Sequence, residues 1–76
     1  MKTKYKFIHF VLAGEFLNEK PVWECRNNKS GDLLSKIFYY KPWKEYCFTQ
    51  SVQGIVFNDG CLVDTIDFIK QLNKEK

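Results

Sequence analysis

The sequence predicts an α+β fold, in which an antiparallel sheet of four to five strands, arranged as a meander, packs on one C-terminal helix. Three observations predict it. Apolar and polar residues alternate with a period of two through most of the chain, turn-forming residues interrupt that alternation at short intervals, and the period changes to 3.6 in the last segment. Short connections favour antiparallel neighbours, and 76 residues allow one domain, residues 1–76.

Four predicted strands are rich in β-branched and aromatic residues, which favour a pleated, half-buried surface. Ala13-Gly14-Glu15 interrupts the first, and Pro42, which cannot donate to a ladder, lies in the turn after the third. A short fifth strand is predicted after Gly54. The five strands cover residues 4–12, 22–27, 33–40, 45–50 and 55–57.

The last segment predicts one amphipathic helix over residues 59–73. Asn58 or Asp59 is its expected N-cap, since both side chains accept hydrogen bonds from the free N–H groups of a first turn. Apolar residues recur at helical spacing and predict a wide stripe that faces the sheet. Its centre is Leu62, Ile66 and Ile69, flanked by Cys61, Thr65, Phe68 and Leu72.

The charge is mildly basic, with twelve basic and nine acidic residues and a net charge of +3. Arg26 is the single arginine, which argues against sequence-specific reading of bases, because bidentate recognition of guanine favours arginine. Residues 1–10 mix charged and apolar side chains, so we expect no secretory signal. The sequence also contains no apolar run of the roughly 20 residues that a membrane span requires. We therefore expect a cytoplasmic protein with no membrane partner.

The candidates for metal binding and nucleophilic catalysis are one histidine and three cysteines: His9, Cys25, Cys47 and Cys61. They lie on separate predicted elements and contain no Cys-x-x-Cys pair, so the spacing of a zinc site is missing. Cys61 begins the predicted helix, where a thiol pKa is lowered, but catalysis also requires an oriented imidazole within hydrogen-bond reach. We expect reduced thiols, no metal or other cofactor, and no enzymatic activity.

The sequence has more aromatic residues than one helix can cover. In the third predicted strand Tyr39 lies on one face of the sheet, while Phe38 and Tyr40 lie on the other. We expect the uncovered face to keep an exposed aromatic patch, of the kind that marks a partner surface. The alternative is that Phe16 and Leu17 fold over this face and complete a second small core.

The function predicted from this patch is stoichiometric binding of a protein, and self-association through the same surface would give a homodimer. Tryptophan and tyrosine dominate interface hot spots, and lysines beside them would steer an acidic partner. The alternative is a nucleic-acid-binding module of low sequence specificity, in which bases stack on the aromatic residues beside the lysines. The predicted partner-binding residues are Lys36, Phe38, Tyr40, Trp43, Lys44 and Tyr46.

A series of motifs extends over residues 22–72: Trp23-x-Cys25, Ser30-Gly31-Asp32-Leu33-Leu34, Ile37-x-Tyr39, Trp43-x-x-Tyr46-Cys47-Phe48 and Cys61-Leu62-x-Asp64-x-x-x-Phe68-Ile69. The series resembles a group of small, uncharacterised single-domain proteins of bacterial mobile elements and phages. The resemblance implies strands that close on a helix, and a stand-alone accessory protein that interferes with a host factor. It implies no catalytic residues.

Overall fold

The computed structural model describes residues 1–50 and 54–75, which form a four-stranded antiparallel sheet packed against one C-terminal helix. The strands are neighbours in space in the order in which they occur in the chain, so the predicted α+β meander is confirmed. Residues 51–53 and 76 of the predicted domain lie outside the described residues. The elements are β1 (Ile8–Leu17), β2 (Lys20–Asn27), β3 (Leu33–Tyr40), a 3-10 turn (Lys41–Trp43), β4 (Glu45–Gln50) and α1 (Asp59–Glu75).

The start of β1 differs from the prediction of a strand over residues 4–12. The chain reverses just before β1, and residues 3–5 lie back along the outer edge of that strand. The Asn28 side chain holds the reversal by donating to two carbonyls in it. Hydrophobic alternation does not reveal this reversal, because the residue that stabilises it lies in another turn. The edge hydrogen bonds run from the Tyr5 N–H to the Ile8 carbonyl and from the Phe10 N–H to the Thr3 carbonyl, both 2.9 Å.

The end of β1 also differs, because Gly14 does not terminate the strand. Gly14 has a φ of +81°, and the register shifts between Leu12 and Phe16, so the interruption is a bulge within a longer strand. The hairpin that follows turns at Asn18 and Glu19, which both have positive φ, as the tightest two-residue turns require. The bulge and this turn place Phe16 within the sheet.

The connection from β4 to α1 contains no strand at residues 55–57, contrary to the prediction. Phe57 packs on Phe48 of β4 through their side chains, with ring centroids 6.3 Å apart, and the segment has no partner strand for a ladder. The helix then begins as expected. Asn58 is the N-cap, since its side-chain oxygen accepts a hydrogen bond of 2.8 Å from the Cys61 N–H.

The core lies between α1 and the sheet face that it covers. Phe68 is fully buried at its centre, stacked on Phe10 with centroids 4.1 Å apart and edge-on to Trp23 at 5.1 Å. The Asn73 side-chain oxygen accepts a 2.6 Å hydrogen bond from the Tyr46 N–H, which ties the end of the helix to β4. The buried core residues are Ile8, Phe10, Cys25, Ile37, Tyr46, Phe68 and Leu72.

The apolar stripe of α1 is rotated relative to the prediction. Its buried residues are Thr65, Phe68 and Leu72, whereas Leu62 and Ile66 of the predicted centre are exposed. Phe68 has the largest apolar side chain of the helix, and it fills the space between two aromatic residues of the sheet. The position of that ring turns Leu62 and Ile66 toward solvent, while Ile69 and Leu72 pack on the core.

Candidate binding surface

The sheet face that points away from α1 is the candidate site. Residues of each strand alternate between the two faces, and the register aligns the outward positions of neighbouring strands, such as Glu24 with Lys36 and Phe38 with Cys47. We call this surface the open face. It is formed by His9, Val11, Val22, Glu24, Arg26, Lys36, Phe38, Tyr40, Glu45, Cys47 and Thr49, together with the adjoining Glu15, Phe16, Leu17 and Trp43.

Three aromatic side chains form a row across the hairpin end of the open face. The rings of Phe38 and Tyr40 meet edge to face with centroids 6.2 Å apart, and Tyr40 meets Trp43 in the same way at 5.0 Å. Trp43 is 66% exposed. The 3-10 turn that carries it is closed by Lys44 in the left-handed region, with φ of 54°. The row borders a shallow groove of about 250 Å³ that Cys47, Phe48 and Thr49 also line.

A second groove of about 320 Å³ lies next to the first and shares Phe38 and Thr49 with it. Val22 forms part of its lining and is 5% exposed, so this position is a small apolar centre on the open face. Phe16 and Leu17 also line the groove, but Phe16 is 73% exposed. These two residues therefore border the groove and do not cover the open face, which keeps its aromatic patch in contact with solvent.

Two ion pairs lie at the centre of the open face, whereas Glu45 lies at its edge opposite Tyr40. Lys36 Nζ lies 2.8 Å from Glu15 Oε1, and Arg26 Nη2 lies 3.0 Å from Glu24 Oε1. Arg26 also donates to the Gly31 carbonyl at 2.8 Å. The hydrogen bond and the charge of Glu15 raise the pKa of Lys36. These two pairs leave the centre of the open face without net charge, although the whole chain carries +3.

The structure brings together most of the predicted partner-binding residues. Phe38, Tyr40 and Trp43 form the aromatic row, and Lys36 lines the groove beside it. Lys44 borders a different cavity of about 440 Å³ at the same end of the sheet, which Tyr39 and Lys41 also line.

Tyr46 requires a correction, because it is 7% exposed and belongs to the core under α1. It pairs in register with Tyr39, which places both on the covered face, with ring centroids 5.5 Å apart. The prediction grouped Tyr46 with the exposed aromatic residues and did not consider that alternate residues of β4 lie on opposite faces of the sheet. Phe16 and Leu17 were considered only as a cover for this face, because Gly14 suggested that β1 ended before them, and Val22 was placed in its strand but not singled out as a lining residue.

The cysteines and His9 do not assemble into a reactive site. His9 lies on the opposite side of β1 from the core and its Nδ1 is 2.6 Å from Asn28 Oδ1. Cys25 is fully buried, and burial raises the pKa of its thiol to about 11. Burial also raises the pKa of Cys47. Within residues 1–50 and 54–75, no group of three or more His, Cys, Asp or Glu residues is arranged to hold a metal ion.

Comparison of the chain with protein-family models, with curated proteins and with solved structures gave no match. The structure itself defines the fold class, an α+β meander with one helix. In the part of the chain that the structure describes, no helix has both the length and the apolar character to cross a membrane.

Proposed function

We propose that this chain is a small non-enzymatic binding protein, which contacts a protein partner stoichiometrically through the open face. The observation that carries the proposal is the row formed by Phe38, Tyr40 and Trp43, exposed beside two adjoining apolar grooves. Rings that already contact one another lose little conformational freedom on binding, and aromatic anchors beside grooves are the usual centre of an interface.

The distribution of charge supports a protein partner over a nucleic acid. A surface that stacks bases also needs cations that are free to contact phosphates. On the open face Lys36 and Arg26 are paired with carboxylates. The lysines near the N-terminus lie elsewhere, where Lys2 covers the ring of Tyr5 and Lys6 covers the ring of Phe7. The two cations at the centre of the open face are thus engaged by carboxylates, and Lys2 and Lys6 lie on rings outside the aromatic row. Glu15 offsets the charge of Lys36, which weakens the attraction of this lysine for an acidic partner.

We also propose a cytoplasmic accessory protein that acts on a host factor, as the resemblance to proteins of mobile elements and phages implies. Cys25, Cys47 and Cys61 are all free thiols in the structure, which suits a reducing compartment. Stoichiometric inhibition requires only a surface of the right shape, so it suits a chain whose thiols and histidine form no reactive cluster.

The test is photocrosslinking in extract of the source cells, with a photoreactive amino acid replacing Trp43. The control places the same amino acid at Ile66, which is 51% exposed on α1 and lies away from the open face. We expect a discrete crosslinked protein at the first position and not at the second, and Trp43→Ala should abolish its capture. The circular dichroism spectrum should be unchanged, because Trp43 is not part of the core.

Equal crosslinking at both positions would contradict the proposal. Crosslinks to nucleic acid at the Trp43 position, with affinity that falls steeply as salt rises, would instead establish the nucleic-acid alternative.

A further inference from the structure

We infer that the partner of the open face is a second copy of this chain, packed face to face about a two-fold axis. The inference rests on the proposed function, since it names the partner of the same surface. It follows from three properties of the molecule: the area of the exposed apolar patch, the paired charges at its centre, and the hydrogen bonds that already occupy part of each sheet edge.

The area of the patch matches the apolar part of a standard interface. With 150–250 Å² for an aromatic side chain, the exposed fractions of Phe16, Trp43, Tyr40 and Leu17 amount to roughly 500 Å² of apolar surface. A stable interface buries about 800 Å² on each partner, and about 65% of it is apolar in homodimers.

The paired charges at the centre of the open face permit contact between identical copies. A two-fold axis places like charges near one another, so a surface with net charge repels its own copy. Here the Glu15–Lys36 and Glu24–Arg26 pairs cancel within each copy. The exposed rings of Phe16 and Trp43 stand at the rim of the two grooves, and a second copy in inverted orientation offers grooves of the same apolar lining. Sheets commonly pack in this way, at about 10 Å.

Hydrogen bonds at the sheet edges favour association of two copies through the open face over pairing of their edge strands. The backbone of β1 at Ile8 and Phe10 is already paired with residues 3–5. On β4, the Tyr46 N–H donates to the side chain of Asn73. A strand added at the start of β1, or at Tyr46 of β4, would have to displace these hydrogen bonds. The apolar surface that Leu62, Val63 and Ile66 form on α1 has no exposed aromatic residue.

The experiment is sedimentation equilibrium of the full chain over concentrations from about 1 to 500 µM, where mass action shifts a reversible dimer. We expect the mass to approach twice 9.1 kDa. Phe16→Lys places a cation in the apolar contact, and it should weaken the dimer by at least about 30-fold, the loss typical of a hot-spot residue. Ile66→Lys is the matched control on α1 and should leave the dimer unchanged.

The outcomes separate this inference from the proposed function. A monomer at every concentration, with capture of another protein that still depends on Trp43, overturns the second copy and leaves the proposed function in place. A monomer whose crosslinking is the same at Trp43 and Ile66 overturns both. A dimer lost in Ile66→Lys but kept in Phe16→Lys overturns the open face as the interface. Dimerisation that responds to Phe16→Lys alone supports the inference.

Discussion

The central packing role of Phe68 gives the sharpest prediction about stability. The side chain is fully buried and contacts the rings of Phe10 and Trp23. Phe68→Ala removes the apolar burial, leaves a cavity and breaks two aromatic contacts, so it should lower the free energy of unfolding by about 3–5 kcal/mol. A chain of 76 residues has a total stability of about 4–11 kcal/mol. The substitution should therefore remove between about a quarter and all of the stability of the chain.

The assay is urea and thermal unfolding followed by far-ultraviolet circular dichroism, at one fixed protein concentration. For a domain of this size the expected loss lowers the melting temperature by at least about 12 °C. Ile66→Ala is the control, because it lies on the same helix but is 51% exposed, and alanine favours helix more than isoleucine. We expect it to cost less than about 1 kcal/mol. The reasoning is refuted if Phe68→Ala costs less than that, or if the two variants are equally unstable.

Three further predictions concern the helix start, a buried thiol and a phenol. Asn58→Ala should cost about 1 kcal/mol and Asn58→Asp much less, since only the first loses the N-cap acceptor; equal melting temperatures for the two would contradict this. In native protein treated with a thiol reagent at pH 8, Cys25 should be modified after Cys61, because Cys25 is fully buried and burial raises the pKa of its thiol to about 11. Peptide mass spectrometry at successive times gives the order, and modification of Cys25 first would contradict the prediction. Burial and the hydrogen bond to Asp67 raise the pKa of Tyr5 above its unfolded value of 10.0, so the contribution of Tyr5 to the free energy of unfolding is complete below pH 10 and is lost as pH rises further. Between pH 9 and 11, the free energy of unfolding measured in urea should fall less steeply for Tyr5→Phe than for the wild type. Parallel declines would count against this prediction.

Local chemistry made several features predictable from the sequence. Alternation with a period of two defined the ranges of β3 and β4, because each residue there is constrained by its immediate neighbours. The same parity placed Phe38 and Tyr40 opposite the covered face. The N-cap at Asn58 was also predictable, since a cap depends on residues three apart.

Long-range contacts decided what the sequence pattern left open or indicated wrongly. Asn28 folds the N-terminal segment back on β1, and the register with Tyr39 buries Tyr46. The rotation of α1 depends on which side chain fills the space beside Phe10. That choice is made by side-chain volume, which helical periodicity does not take into account. The pairing of charges at the centre of the open face likewise required coordinates, because Glu15 and Lys36 lie far apart in the chain and meet only across the folded sheet. Sequence determined which surfaces are apolar; tertiary packing decided which of them remain exposed, because burial depends on contacts between distant residues.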